Sequence, residues 1–252
     1  MQVLFLLGLT ELSKAMIIGS GLLARAFKQY QLKLDQVCVY AAGVSNSSNT
    51  DAREFEREKL CLTQSMAVAP TQDLFIYFST CSICDPSMQD SPYVKHKVRM
   101  ENLVKQRSNY LIFRLPQVVS FTPNPHTLLN ALYAYIVRFE RFSLWVNATR
   151  NLIDVDDISI IALEIISKKP MWNKSINIAN SDNVAVKDIV KVLENMLGVT
   201  AIYDEIDKGS GYHIDISDIQ PALIHLGIHF NDDYLHHMFN KYYGKSARQS
   251  YY

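Results

Sequence analysis

The run Ala15-Met16-Ile17-Ile18-Gly19-Ser20-Gly21-Leu22-Leu23-Ala24 constrains this chain more than any other. A short apolar stretch with β-branched residues flows into a glycine turn. Leu22, Leu23, Ala26, Phe27 and Tyr30 then recur at three- and four-residue steps, the period of a helix. Strand, glycine turn and helix open a parallel α/β unit. A Gly-x-Gly-x-x-Ala turn at that junction suits a dinucleotide. Gly21 lets the backbone approach a pyrophosphate, Ala24 lets the helix pack against the strand, and the first amides of the helix face the phosphates. The acidic partner expected about 20 residues further on is not where it should be. Asp35 precedes the next strand, residues 37–43, rather than ending it, and reads as a loop residue, not a ribose ligand.

Strands and helices alternate along the rest of the chain. Residues 73–80 (DLFIYFST) read as a buried strand ending in Ser79-Thr80, residues 110–115 (YLIFRL) as another closed by Pro116, and residues 175–179 (SINIA) as a later one. Residues 53–62 read as a surface helix with Phe55, Leu60 and Leu62 facing inward. The pattern predicts a Rossmann-like α/β fold: a mostly parallel sheet, helices on both faces, and a small C-terminal α+β lobe for substrate. Residues 1–15 read as an N-terminal extension ahead of Met16. Residues 16–120 form the dinucleotide-binding core, and residues 121–252 complete that core over about 151–181 and build the lobe.

With 252 residues, 48% of them apolar, the chain can bury a large core. Lys+Arg and Asp+Glu are both 25, which removes the electrostatic argument for nucleic acid or an anionic membrane. No run reaches the ~18 apolar residues of a membrane span, and residues 1–9 lack the basic flank of a secretory leader. The expected compartment is the cytoplasm. Cys81-x-x-Cys84 is the one close pair among four cysteines. With no second ligand pair it does not close a tetrahedral zinc site, and the spacing of His96 and His126 does not supply one. The expectation is no metal and two reduced thiols at a strand end.

Residues 91–101, SPYVKHKVRME, hold the candidate chemistry. Ser91 suits a helix cap, accepting a bond from a first-turn amide, and Pro92 suits the first helical position. Tyr93 and Lys97, four apart, share a helix face. An ammonium beside a phenol lowers its pKa and prepares it for proton transfer at a carbonyl or alcohol. With 14 tyrosines in the chain, one such spacing is what chance delivers, so its neighbours must decide.

Together these pieces resemble the extended short-chain dehydrogenase/reductase family, the NAD-dependent epimerases, dehydratases and reductases of nucleotide sugars. The segments MIIGSGLLARAF, VYAAGVSNS, FSTCSICD, SPYVKHKVRME, FRLPQV, RNLIDVDDIS, SINIANSDNVAVKDIV and DISDIQPALIHLGI match its motifs in order. The resemblance implies Tyr93 as acid/base, Lys97 lowering its pKa and bonding the nicotinamide ribose, and Thr80 holding the sugar oxygen. It implies NAD or NADP held by Gly19, Ser20, Gly21, Leu22, Leu23, Ala42, Gly43, Lys97 and Pro116. The implied substrate is a nucleotide sugar for surface polysaccharide, and the implied assembly a homodimer. Cys81 and Ser82 stand where dehydratases carry a further acid/base pair, which disfavours dehydration. Asp156-Asp157 reads as a helix cap, and Arg150 as meeting a diphosphate or pairing with Asp154.

Two departures shape the expectations. Only about twenty residues separate Gly21 from Ala41-Ala42-Gly43, so the family's second and third strands are absent and NAD cannot be told from NADP. Passing straight to the strand-4 position, with the helix on its usual face, makes a left-handed crossover, which is rare. Either the helix moves to the other face or VCVYAA takes the strand-2 position. The segment from Thr80 to Tyr93 is also short for the family. Two readings stand beside the sugar enzyme: a non-catalytic dinucleotide sensor or scaffold of the same fold, and a reductase of a non-sugar carbonyl.

Overall fold

The computed structural model describes residues 15–120, 122, 124, 127–231 and 233–244. The expectations for residues 1–14, His126 and residues 245–252 fall outside them. The first part of the chain runs β1 (Met16–Ile18), α1 (Leu22–Lys28), β2 (Val37–Tyr40), α2 (Ala52–Val68), β3 (Leu74–Thr80), α3 (Pro92–Val104), β4 (Tyr110–Leu115) and β5 (Gln117–Val119). It continues as α4 (Leu128–Val137), β6 (Phe142–Trp145), β7 (Thr149–Arg150), β8 (Leu152–Asp154), α5 (Val155–Ile166), β9 (Lys174–Asn177) and β10 (Val184–Ala185). The last elements are α6 (Val186–Leu197), β11 (Tyr203–Ile206), α7 (Gln220–Leu226) and α8 (Tyr234–Tyr243).

A five-stranded, all-parallel sheet in the order β1-β2-β3-β4-β9 forms the centre. Its strands read as continuous apolar runs because both faces are covered. Val39, Ile76 and Phe113 point to the face that carries Phe27 of α1 and Ile158, Ile161 and Ile165 of α5. Cys38, Tyr40, Phe75 and Tyr77 point to the other, against Leu62 of α2 and Met100 and Val104 of α3. The fold is thus the mostly parallel α/β arrangement the alternating elements predict.

The entry into the sheet follows neither expected route. β2 lies between β1 and β3, so VCVYAA does not take the strand-2 position. α1 packs on α5, whereas α2 packs on α3 across the sheet. Two parallel connections that step the same way through opposite faces have opposite hands. With β2–α2–β3 of the usual right hand, β1–α1–β2 is left-handed. The reason lies in occupancy: α2 already covers the other face beside β2, while α1 buries Ala24 and Phe27 completely where it is. β1 is consequently an edge strand.

A second core surrounds α4, α6 and α8, with Leu132, Ile136, Leu144, Ile189, Leu193 and Phe239 inside. The parallel pairs β5·β8 and β6·β11 and the antiparallel pair β7·β10 frame it. This lobe stands over the carboxyl ends of the sheet strands, where open α/β sheets place their ligands.

Candidate active site

α3 places the Tyr93–Lys97 pair. Ser91 stands at its N-cap and Pro92 in its first turn, but the Ser91 hydroxyl makes no cap bond. The expected side-chain cap is therefore absent, and Pro92 with the extended backbone of Ser91 (φ −59°, ψ 131°) starts the helix. Tyr93, His96, Lys97, Met100 and Glu101 form its buried face, packed on β3. The Lys97 ammonium lies 5.9 Å from the Tyr93 ring centre. Thr80, the last residue of β3, lies beside the Tyr93 phenol. Its hydroxyl donates to Ser82 Oγ at 3.0 Å and accepts from the Ser82 amide at 3.1 Å. Thr80, Tyr93 and Lys97 are thus brought to one place at the end of β3.

Beneath them lies a charge that the motifs do not announce. Glu58 of α2 is fully buried. Its Oε1 accepts from Lys97 Nζ at 3.0 Å and from the Tyr77 hydroxyl at 2.7 Å. Its Oε2 accepts from the Val44 amide at 2.7 Å and lies 3.0 Å from His96 Nε2. Lys97 Nζ donates to Tyr77 as well, at 3.1 Å. Burial alone would raise the Glu58 carboxyl, but the combined pull of His96, Lys97, Tyr77 and Val44 outweighs it and holds the group at about 2. A Cβ on Gly43 would come within 2.8 Å of both Glu58 Oε1 and Lys97 Nζ, so a larger residue there would have to displace the pair.

The net shift at Tyr93 runs opposite to the one expected from Lys97. Burial pushes the Tyr93 phenol well above its ordinary value; the Thr80 hydroxyl opposes this and the Glu58 carboxylate adds to it. Lys97 does not tip the balance because Glu58 is in direct contact with its ammonium. Burial in turn lowers the Lys97 ammonium below 10.5, against the pull of Glu58.

These groups open on a cleft of about 1060 Å³ between the sheet ends and the lobe. Gly21, Leu22, Leu23, Gly43, Thr80, Tyr93, Lys97 and Pro116 line it. Gly19, Ser20 and Ala42 stand outside its wall. Gly19 adopts φ 122°, and a Cβ there would strike the Ala41 carbonyl, so its role is to seat the turn on β2. Gly21 differs: a Cβ on it would meet nothing within 4 Å. Nothing in the chain requires that glycine, and the space it leaves faces the cleft. Ser79 Oγ, buried at the cleft wall, has no hydrogen-bond partner among the described residues. Bare backbone, open space and an unpaired hydroxyl fit the pyrophosphate and nicotinamide halves of a dinucleotide. Among the described residues the adenosine half has no such fittings: β1 is an edge, and Asp35, near Asp73 at the start of β3, lies at the opposite end of the sheet.

Across the cleft, Trp145, Arg150, Lys208 and Tyr212 come from the lobe. Arg150 bonds the Thr149 carbonyl at 2.7 Å and does not pair with Asp154. Among the described residues Arg25, Arg150 and Lys208 form no ion pair, so the walls favour an anionic ligand. Asp154, rather than Asp156 or Asp157, caps α5 by accepting from the Asp156 amide at 2.9 Å. Asp156 meets Lys241 at 2.7 Å, and Asp157 accepts from Tyr234 at 2.6 Å. Cys81 and Cys84 span one short turn, with burial raising both thiols above their ordinary value. Among the described residues no group of His, Cys, Asp or Glu is placed to hold a metal ion, and no helix is long and apolar enough to cross a membrane.

Leu60, predicted to face inward, is exposed, whereas Glu58 is buried. Phe55, Glu58, Leu62 and Ser65 fall at steps of three and four, so the inward stripe was readable as one that includes a carboxylate. Trp145, Lys208 and Tyr212 had no comparable signal, since only the lobe's folding brings them to the cleft.

No protein-family model matches the chain, and no curated protein matches its sequence. Solved structures do. RMD from Pseudomonas aeruginosa complexed with NADPH superposes with a TM-score of 0.68 at 12% identity, over 83% of this chain and 92% of that one. UDP-glucuronic acid 4-epimerase from Bacillus cereus, in complex with UDP-glucuronic acid and NAD, gives 0.68 at 18% identity, over 91% and 79%. UDP-N-acetylglucosamine 4-epimerase from Methanobrevibacter ruminantium M1, in complex with UDP-N-acetylmuramic acid, gives 0.69 at 14% identity, over 86% and 78%. The chain therefore has the Rossmann-like fold found in NAD-dependent nucleotide-sugar epimerases.

Proposed function

We propose that this protein is an NAD(P)-dependent oxidoreductase or epimerase acting on a nucleotide-activated sugar. The observation that carries the reading is the convergence of Thr80, Tyr93 and Lys97 on one cleft wall, with open space above Gly21 a short way along it. Tyr93 gives a proton to the sugar oxygen or takes one from it, and Thr80 orients that oxygen. Lys97, held from behind by Glu58, turns its remaining N–H toward the nicotinamide ribose. When bound, the nicotinamide supplies or receives the hydride. Arg150 and Lys208 suit the diphosphate of the sugar nucleotide, and Trp145 offers an aromatic face beside them.

Calorimetry with NADH and NADPH tests the reading, followed by turnover with UDP-sugars. Binding of at least one dinucleotide is expected, with Tyr93→Phe abolishing turnover and leaving binding intact. Failure to bind either dinucleotide would overturn it. The bare adenosine side favours one second reading, a dinucleotide sensor without turnover; binding with no turnover of any carbonyl or sugar substrate would select it.

A further inference from the structure

Glu58 stands behind the catalytic pair without reaching the cleft. Its four donors come from two elements and a loop: Tyr77 on β3, His96 and Lys97 on α3, and the Val44 amide after β2. His96 is itself fixed by stacking on Phe55, with ring centres 4.6 Å apart. The lysine side chain is 3% exposed and the glutamate 0%, so water does not screen the pair. An isolated ammonium on the Tyr93 helix face would draw the phenol toward phenolate. A carboxylate 3.0 Å from that ammonium cancels much of its field at the Tyr93 ring, whose centre lies 5.9 Å from it.

On the reading proposed above, we infer that Glu58 is a positioning residue that keeps Tyr93 a standing proton donor, so that the site is built to reduce a carbonyl rather than to begin by oxidising an alcohol. The other groups around Tyr93 do not undo this. Thr80 is a neutral hydroxyl. Cys81 and Tyr77 are buried groups whose pKa values are raised, and Tyr212, reaching over from the lobe, is pushed up to about 12. Lys97 and Glu58 are the charged neighbours, and they face each other. In the step so favoured, the carbonyl carbon gains a hydride from reduced nicotinamide dinucleotide and the π pair moves to oxygen. The oxygen takes the Tyr93 proton, and the phenolate left behind regains a proton from water.

The test is an NMR titration of protein labelled with 13Cζ-tyrosine, with Tyr93→Phe assigning the resonance. In the wild type the Tyr93 signal should stay still between about pH 7 and 11. In Glu58→Gln the carboxylate no longer opposes ionisation, and the midpoint should move to lower pH than in the wild type. Glu58→Asp keeps the charge with a shorter reach and should give a smaller shift in the same direction; it carries the test if Glu58→Gln does not fold. A wild-type Tyr93 that ionises below about pH 10, or a midpoint that does not move in the variants, overturns the inference. The titration needs no ligand. Failure of the dinucleotide reading therefore shows separately, in calorimetry with NADH and NADPH.

Discussion

Lys241 Nζ lies 2.7 Å from Asp154 Oδ2, and this contact fastens α8 to the residue that caps α5. Asp156 takes a second bond from the same ammonium, and the Tyr242 hydroxyl donates to Asp154 Oδ1 at 2.7 Å. The Asp-Asp motif is thus a clasp between the lobe and the sheet's outer helix.

Lys241→Ala should lower stability by about 1 kcal/mol, since the lysine is partly exposed and its loss leaves Asp154 its bonds to Tyr242 and the helix amide. Tyr242→Phe should cost a similar amount. Urea unfolding measures both; an unchanged midpoint in the two variants would show that α8 does not depend on the clasp.

Glu58 should govern the acid side of stability. Its folded value of about 2 stands below the ordinary 4.5. A depressed carboxyl contributes stability that is complete above about pH 4.5 and is lost as pH falls toward 2, here about 3 kcal/mol. Glu58→Gln should lose 3 to 5 kcal/mol, roughly, at neutral pH, because Lys97 is left buried and unpaired. It should also lack this part of the acid limb. Urea titrations between pH 7 and 2 decide; an acid limb of undiminished size in the variant would assign it to other carboxylates.

Gly21→Ala separates ligand from fold. The residue has φ −72° and open space where a Cβ would stand, so alanine should shift stability by no more than about 0.5 kcal/mol. The same methyl group would occupy the space left for the pyrophosphate, and dinucleotide affinity should fall by about tenfold or more. Calorimetry and urea melts on one preparation read the two effects together; equal affinity would place the phosphates elsewhere.

Discrimination between NADH and NADPH should be slight. Among the described residues β1 carries no strand on its outer edge, and Asp35 lies away from the carboxyl ends of the strands. With no buried group built to bond or reject the 2′ position, the two affinities should agree within about tenfold. A preference of a thousandfold would require a recognition element beyond the described residues.

The sequence made the repeating strand and helix pattern legible, because continuous apolar strands such as 74–80 and the striped helix 186–197 carry strong periods. The convergence of Thr80, Tyr93 and Lys97 could be expected from motif order. Two things could not. The left hand of β1–α1–β2 depends on which sheet face α2 already fills, a matter of packing between distant segments. The upward shift at Tyr93 depends first on its burial and then on Glu58, 39 positions from Lys97, both visible only once α2 and α3 pack together. Ser91 shows a smaller gap of the same kind: a capping residue in the right place makes no cap bond, because Pro92 already sets the start of the helix.

The order β1-β2-β3-β4 places each of the first four sheet strands beside the one before it. A sheet that keeps strand 1 in its middle must hold a place open for partners arriving from both sides. Here growth is one-directional: every strand emerging from the ribosome finds its neighbour already made, and contacts stay local until β9. Such a sheet is laid down from its rim rather than assembled from its centre.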